Sequence, residues 1–176
     1  MKSAPKHLWV RPAPSLDPAK GLLQFGHHVW PCILGKNGIT CQKQEGDMKT
    51  PSGRFRLLYG YFRKERTGLI TSQLPIKPIN EAMGWCDDPH NSNYNRPITL
   101  PFESSHEKMN REDRLYDLVV VMDHNYTNRI KNRGSAVFFH LTAEKSYTAG
   151  CVAVSPNIMK FLLPQLSQET EMIIQP

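Results

Sequence analysis

The sequence places one histidine and one cysteine at the two ends of a short polar loop, with His140 before the loop and Cys151 after it. A thiol is a strong nucleophile only as the thiolate, and a neighbouring imidazole can accept its proton. Gly150 can adopt backbone angles closed to other residues, so N–H groups at Gly150 and Cys151 can face a developing oxyanion. This combination predicts acyl transfer at a carbonyl carbon. The alternative is a buried structural cysteine beside a histidine whose hydrogen bonds are satisfied.

Two short apolar runs would have to position these side chains. Residues 136–139 precede His140, and residues 152–154 follow Cys151. Runs rich in Val and Phe, bounded by Gly and polar residues, are typical of buried strands. If these two strands pair, the single connecting loop brings the imidazole and the thiol together.

The rest of the chain shows further strand signals and few helix signals. Asn37-Gly38 predicts a type I′ hairpin between strands at 29–34 and 39–42. Ser155-Pro156 predicts a helix start, because Ser caps well and Pro suits the first helical position. The charged segment 106–114 is predicted to be a short exposed helix or a mobile loop. Other strands are predicted at residues 8–10, 22–25, 55–61, 115–122 and 171–174.

The composition of the chain limits the classes of protein to which it can belong. The chain of 176 residues is long enough for one domain, 1–176, with its core at roughly 20–165. Its net charge of +6 is scattered and favours anionic partners. No nucleic-acid motif accompanies the basic residues, so no nucleic-acid partner is predicted. No apolar stretch long enough for a membrane span and no secretory signal is visible.

Four cysteines occur, and no two of them form a C-x-x-C pair, so a structural zinc site is not predicted. Acyl transfer by a thiol needs no metal and no organic cofactor, so none is predicted. If Cys151 is catalytic, three cysteines remain. Cys32 and Cys41 flank the predicted turn, and the sequence leaves a disulfide between them undecided. Asp87-Asp88 can be interpreted as metal ligands, as an acid/base pair, or as a turn in which Asp accepts backbone hydrogen bonds before Pro89.

Several blocks of the chain resemble the L,D-transpeptidase (YkuD-type) catalytic domain family, and they occur in the family's order. Together they cover roughly residues 20–165. Ala149 and Ala153 depart from the pattern, because many members carry His at the first position and Arg or Asn at the second. The resembling blocks are residues 46–55 (GDMKTPSGRF), 85–89 (WCDDP), 94–96 (YNR), 116–120 (YDLVV) with Asn125, His140, and 148–151 (TAGC).

The resemblance implies a fold and a set of roles. The expected fold is mainly antiparallel β, a sandwich or flattened barrel with one or two packed helices. The expected catalytic residues are Cys151, His140 and Gly150, with the backbone carbonyl of Leu141 orienting the histidine. Arg96 would hold a substrate carboxylate, although a surface ion pair is the alternative interpretation. The expected substrate-binding residues are Trp85, Tyr94, Asn95, Arg96 and Thr148.

The resemblance also implies a reaction on peptidoglycan stem tetrapeptides. Cys151 would attack the carbonyl between the diaminopimelate L-centre and the terminal D-Ala, and the thioester would pass to an amine. Hydrolysis of muropeptides or of protein–peptidoglycan links is an alternative, and a non-catalytic peptidoglycan-binding module is another. The expected state is a monomer. A periplasmic or cell-wall location follows from the substrate class, while the missing export signal leaves the cytoplasm open.

Overall fold

The structure is a computed structural model that describes residues 7–143 and 146–176. The protein is mainly β, as the sequence predicted. No helix in the described ranges is long and apolar enough to cross a membrane. The elements, in chain order, are β1 His7–Pro12, β2 Lys20–Phe25, β3 His28–Ile33, β4 Ile39–Thr40, β5 Thr50–Pro51, β6 Gly53–Phe62, α1 Lys64–Thr67, β7 Ile76–Pro78, β8 Met83–Cys86, β9 Arg96–Thr99, β10 His106–Lys108, β11 Leu118–Met122, β12 Phe138–Leu141, β13 Val152–Val154, α2 Pro156–Leu162, a 3-10 turn Leu163–Gln165, and β14 Glu171–Ile174.

One large sheet organises the fold. Its strand order is β11-β12-β13-β3-β2-β1-β14-β6-β7, and β6 also pairs with β11. This extra pairing closes the sheet on itself like a barrel. The predicted C-terminal strand is present as β14, and it completes the ring between β1 and β6.

The central strands of this sheet are buried on both faces. All five residues of β11 are buried, and so are all four of β12. Alternate side chains enter two apolar clusters: Val120 and Phe139 pack inside the barrel, whereas Val119 and Phe138 pack outside it. Burial on both faces explains why these strands are continuous apolar runs in the sequence.

A second, three-stranded sheet with the order β10-β8-β9 lies beside the large sheet. Its Trp85 packs edge-to-face on Phe138, with ring centroids 5.0 Å apart. The predicted helix is present as α2, where Ser155 Oγ accepts the N–H of Ile158. The small sheet therefore adjoins the outer face of the large sheet at β12, the strand that carries His140.

Two local predictions are wrong. The segment 39–40 pairs in parallel with β5 instead of folding back on β3, because only Gly38 of the Asn37-Gly38 pair has positive φ and a type I′ turn needs both. The segment 106–114 opens with β10 instead of a helix or mobile loop. Strands β12 and β13 pair with each other, and they run parallel. Cys32 and Cys41 are both free thiols.

Thr50 joins the loop after β3 to the segment that precedes β6. Its side chain is fully buried, and Oγ1 accepts the N–H of Gly35 at 2.8 Å. Gly35 is itself buried, so no water can replace this acceptor. The hydrogen bond therefore fixes the loop that leads into the catalytic region.

Thr50→Val should lower the free energy of unfolding by about 1–3 kcal/mol, because it keeps the side-chain shape and leaves a buried N–H without an acceptor. Urea unfolding followed by circular dichroism measures this loss. Thr40→Val is the matched control, since the Thr40 hydroxyl accepts an exposed N–H from Gln42. Equal losses in the two variants would contradict the role assigned to Thr50.

Candidate active site

The register between β12 and β13 puts the candidate nucleophile and base on one face of the sheet. Phe139 lies opposite Val152, and His140 lies opposite Ala153. Because side chains alternate along a strand, Cys151 and His140 share the face that points away from the barrel interior. They lie diagonally across the strand pair, within reach of long side chains or of a bound substrate.

His140 is held in one orientation. Nδ1 lies 2.7 Å from the backbone oxygen of Leu141, which is the contact that the sequence analysis expected at that position. A carbonyl oxygen can only accept, so Nδ1 carries the proton and Nε2 keeps its lone pair. The ring of Tyr116 packs edge-on against the imidazole, with centroids 5.4 Å apart. The geometry therefore suits His140 to accept a proton at Nε2.

Cys151 is nearly enclosed, with 7% of its surface exposed. Its Sγ accepts the N–H of Phe138 at 3.3 Å and donates to the carbonyl oxygen of Ala136, also at 3.3 Å. In this structure the thiol proton thus faces a backbone carbonyl instead of the imidazole. Attack on a substrate requires the S–H to turn away from Ala136.

Burial favours the uncharged forms of both groups. It raises the pKa of the Cys151 thiol to about 12, and the nearby Glu107 carboxylate acts in the same direction. Burial also lowers the pKa of His140 to about 4, against the opposing effect of the Leu141 carbonyl. Both shifts favour a thiol and a neutral imidazole over a thiolate–imidazolium ion pair at neutral pH.

The turn before the nucleophile depends on Gly150 and Thr148. Gly150 has a φ of +145°, and a Cβ there would lie 2.8 Å from the Lys49 carbonyl oxygen. Thr148 Oγ1 accepts the N–H of Gly150 at 3.1 Å and donates to the carbonyl of Cys151 at 2.7 Å. The Gly150 N–H is thus committed to Thr148. The N–H of Cys151 meets no acceptor among the described residues, so it is the group available to an oxyanion.

A cavity of about 450 Å³ opens over this face. Both His140 and Cys151 line it, together with Gly150, Thr148 and Ala153. Its polar wall is formed by residues that the sequence analysis did not select as site residues. These additional lining residues are Lys43, Glu45, Asp87, Glu107, Arg111 and Tyr116.

Asn95 and Trp85 lie beneath the site instead of lining the cavity, because both are almost fully buried. Asn95 Oδ1 accepts the Trp85 indole N–H at 3.0 Å and the Ala136 N–H at 3.1 Å. Ala136 has a φ of +50°, which is uncommon for a residue with a side chain. Asn95 therefore stabilises the conformation that presents the Ala136 carbonyl to Cys151.

Tyr94 and Arg96 also lie outside the cavity lining. The buried Tyr94 hydroxyl donates to the carboxylate of Glu45. Ser135 Oγ donates to the same carboxylate at 2.9 Å. The Arg96 guanidinium stacks over the Tyr126 ring at 4.2 Å. Of the predicted substrate-binding residues, only Thr148 reaches the cavity, and its hydroxyl already bonds the catalytic turn.

The lining residues that were not predicted as site residues come from segments distant in sequence, and several already have partners. Lys43 forms an ion pair with Asp47. Glu107 accepts the Tyr116 hydroxyl, and burial raises the pKa of this carboxyl. Of the pair Asp87-Asp88, Asp87 lines the cavity, whereas Asp88 accepts the N–H of His90 in an ordinary turn.

Within residues 7–143 and 146–176, no group of three or more His, Cys, Asp or Glu is arranged to hold a metal ion.

The model of the YkuD L,D-transpeptidase catalytic domain matches residues 23–174. The chain belongs to this family. It is similar to the solved structure of Bd1075 from Bdellovibrio bacteriovorus, with 14% identity, a TM-score of 0.46, and coverage of 99% of this chain and 49% of that one. It is also similar to an L,D-transpeptidase from Mycobacterium smegmatis, with 14% identity, a TM-score of 0.43, and coverage of 98% and 59%.

This YkuD-family chain spans roughly half the length of the solved structures that it matches. No curated protein matches it. The family membership establishes a transpeptidase-type domain, while the roles of individual residues depend on the site geometry described above.

The pKa values predict how Cys151 reacts with a neutral alkylating agent. Only the thiolate reacts, so the rate for iodoacetamide should rise about tenfold per pH unit from about pH 6 to pH 10 without levelling off. Peptide mapping by mass spectrometry after timed quenching measures this rate. A rate that is constant above about pH 5 would mean a thiolate–imidazolium pair and would contradict the neutral pair.

The exposed Cys41 provides an internal reference in the same digests. Cys151 should react much more slowly than Cys41 at neutral pH, because its sulfur is both protonated and enclosed. Faster labelling of Cys151 would contradict this expectation.

Proposed function

We propose that this protein is a cysteine acyltransferase that acts on peptidoglycan stem tetrapeptides, with Cys151 as nucleophile and His140 as base. The observation that carries the proposal is the placement of both side chains on one face of a single cavity, with Nδ1 of His140 anchored by Leu141. The buried structural-cysteine alternative does not account for a cysteine and a histidine that line the same cavity.

The first half-reaction releases the terminal residue of the donor. The S–H proton passes to Nε2 of His140 as sulfur bonds to the scissile carbonyl carbon. Because burial disfavours both charged forms, proton transfer and attack are coupled. The oxyanion accepts the N–H of Cys151. The C–N bond then breaks, D-Ala leaves as an amine that takes the proton from His140, and a thioester remains on Cys151.

The second half-reaction transfers the acyl group. An incoming amine gives its proton to Nε2 and bonds to the thioester carbon, which yields an L,D cross-link or an exchanged D-amino acid. The thiol is restored when His140 returns the proton to sulfur. Water in place of the amine gives L,D-carboxypeptidase activity, which is the alternative function. A substrate of this class carries the expectation of a periplasmic or cell-wall location.

Purified tetrapeptide muropeptides should lose D-Ala on incubation with the protein, and an added D-amino acid should be incorporated. Mass spectrometry of the products measures both changes. Cys151→Ala should reduce them at least about 1000-fold, because no other group on this face can form the thioester. His140→Ala should have a comparable effect.

Cys41→Ala is the matched control, because this exposed thiol lies outside the catalytic cavity. Loss of D-Ala without incorporation would favour the carboxypeptidase. Unchanged products from Cys151→Ala, or no products from the wild-type protein, would overturn the proposed function.

A further inference from the structure

The guanidinium of Arg111 is a preorganised cation in the cavity wall. Its Nε and Nη2 donate to the two carboxylate oxygens of Asp113 at 2.8 and 2.7 Å. Nη1 donates to no acceptor among the described residues. The ion pair with Asp113 fixes the orientation of the side chain. A guanidinium has five N–H groups, so the N–H groups that do not contact Asp113 can still donate to a ligand.

Arg111 also lies close to the reacting groups. Its guanidinium stands over the Tyr116 ring at 5.0 Å, and the edge contact of that ring with His140 is 5.4 Å between centroids. One aromatic ring therefore separates the cation from the base. The Arg111 side chain is 28% exposed, so it remains accessible from the cavity.

Other cationic candidates are less suited to bind a substrate anion. Lys43 also lines the cavity, but its ammonium is paired with Asp47 and donates to the Gln44 carbonyl. Arg96 stacks on Tyr126 and does not line the cavity. Ala153 lies opposite His140 in the register, and its methyl group offers no cation at that position.

Two of the anionic lining residues, Glu45 and Glu107, already have donors of their own, whereas Asp87 Oδ1 is buried without a hydrogen-bond partner in the described residues. The Glu45 carboxylate accepts Tyr94 and Ser135, and the Glu107 carboxylate accepts Tyr116. Neither carboxylate forms a direct ion pair with Arg111 in the described residues. Asp113 is thus the direct ion-pair partner of Arg111, and the Glu107 carboxylate acts on the same charge without a direct ion pair. Arg111 lies at the edge of a cavity that takes the donor peptide under the proposed function.

From this arrangement we infer that Arg111 binds a carboxylate of the acyl donor and so selects peptides with a free carboxylate close to the scissile bond. The inference rests on the proposed function for its substrate. A stem tetrapeptide offers two such groups, the carboxylate of the terminal D-Ala and the side-chain carboxylate of diaminopimelate. Both would present the same planar pair of oxygens to the guanidinium.

The test compares three synthetic donors: the free tetrapeptide, the same peptide amidated at the terminal D-Ala, and the same peptide amidated at the diaminopimelate side chain. The wild-type protein should prefer the free acid to one of the two amides by about 10- to 100-fold in kcat/KM, because a charge-assisted bidentate contact is lost with amidation. The amide that is disfavoured identifies the carboxylate that Arg111 binds.

Arg111→Gln should abolish that preference by lowering kcat/KM for the free acid about 10- to 100-fold and leaving the disfavoured amide unchanged. Arg111→Lys should retain part of it, since it keeps the charge and loses the planar fork. A purely structural role would lower the rates for acid and amide alike. Arg96→Gln should retain the full preference, and loss of the preference in that variant instead would overturn the inference.

A binding measurement separates failure of the inference from failure of the proposed function. Titration calorimetry of the three peptides with Cys151→Ala should show the same preference for the free acid, removed by Arg111→Gln in that background. Turnover without any acid preference would overturn the role of Arg111 and leave the acyltransferase intact. Absence of turnover would overturn the proposed function, and equal binding of acid and amides would overturn the inference independently.

Discussion

The parallel register of β12 against β13 is the constraint on which the site depends. It sets Cys151 two positions back from His140 on one face, and burial of Phe139 and Val152 on the other face prevents a slip. A shift of either strand by one residue would turn the His140 or Cys151 side chain of that strand into the barrel and separate the pair. Packing inside the barrel therefore determines where the His140 and Cys151 side chains lie outside it. The tight turn at Gly150 lets the chain enter β13 in that register.

Enclosure of the site has an electrostatic consequence. Desolvation lowers the pKa of His140 and raises that of Cys151, which favours the protonated sulfur and the neutral imidazole. Backbone groups at Phe138 and Ala136 hold this thiol in place. Under the proposed function, a bound substrate must turn the S–H away from the Ala136 carbonyl before the sulfur can attack. Asn95, which lies beneath the site, accepts the N–H of Ala136 and so helps to hold the backbone that contacts the thiol.

The local sequence was sufficient to predict individual strands, because strand propensity is a property of short segments. The apolar runs beside His140 and Cys151 predicted two strands, but strand direction depends on how the loop crosses, which no local pattern records. Trp85 and Asn95 were expected to bind substrate because the blocks that contain them resemble the family; the sequence could not show that their mutual hydrogen bond is buried. Arg111 was missed because a charged segment gives no sign of which side chain faces inward.

The central claim is that a peptide is carried on the sulfur of Cys151, and acid-quenched intact-protein mass spectrometry followed by peptide mapping tests it most directly. After brief incubation with a tetrapeptide donor, the account predicts an adduct equal to the donor less D-Ala, located on the fragment that contains Cys151. An adduct on the exposed Cys41, or no adduct while D-Ala is released, would contradict it.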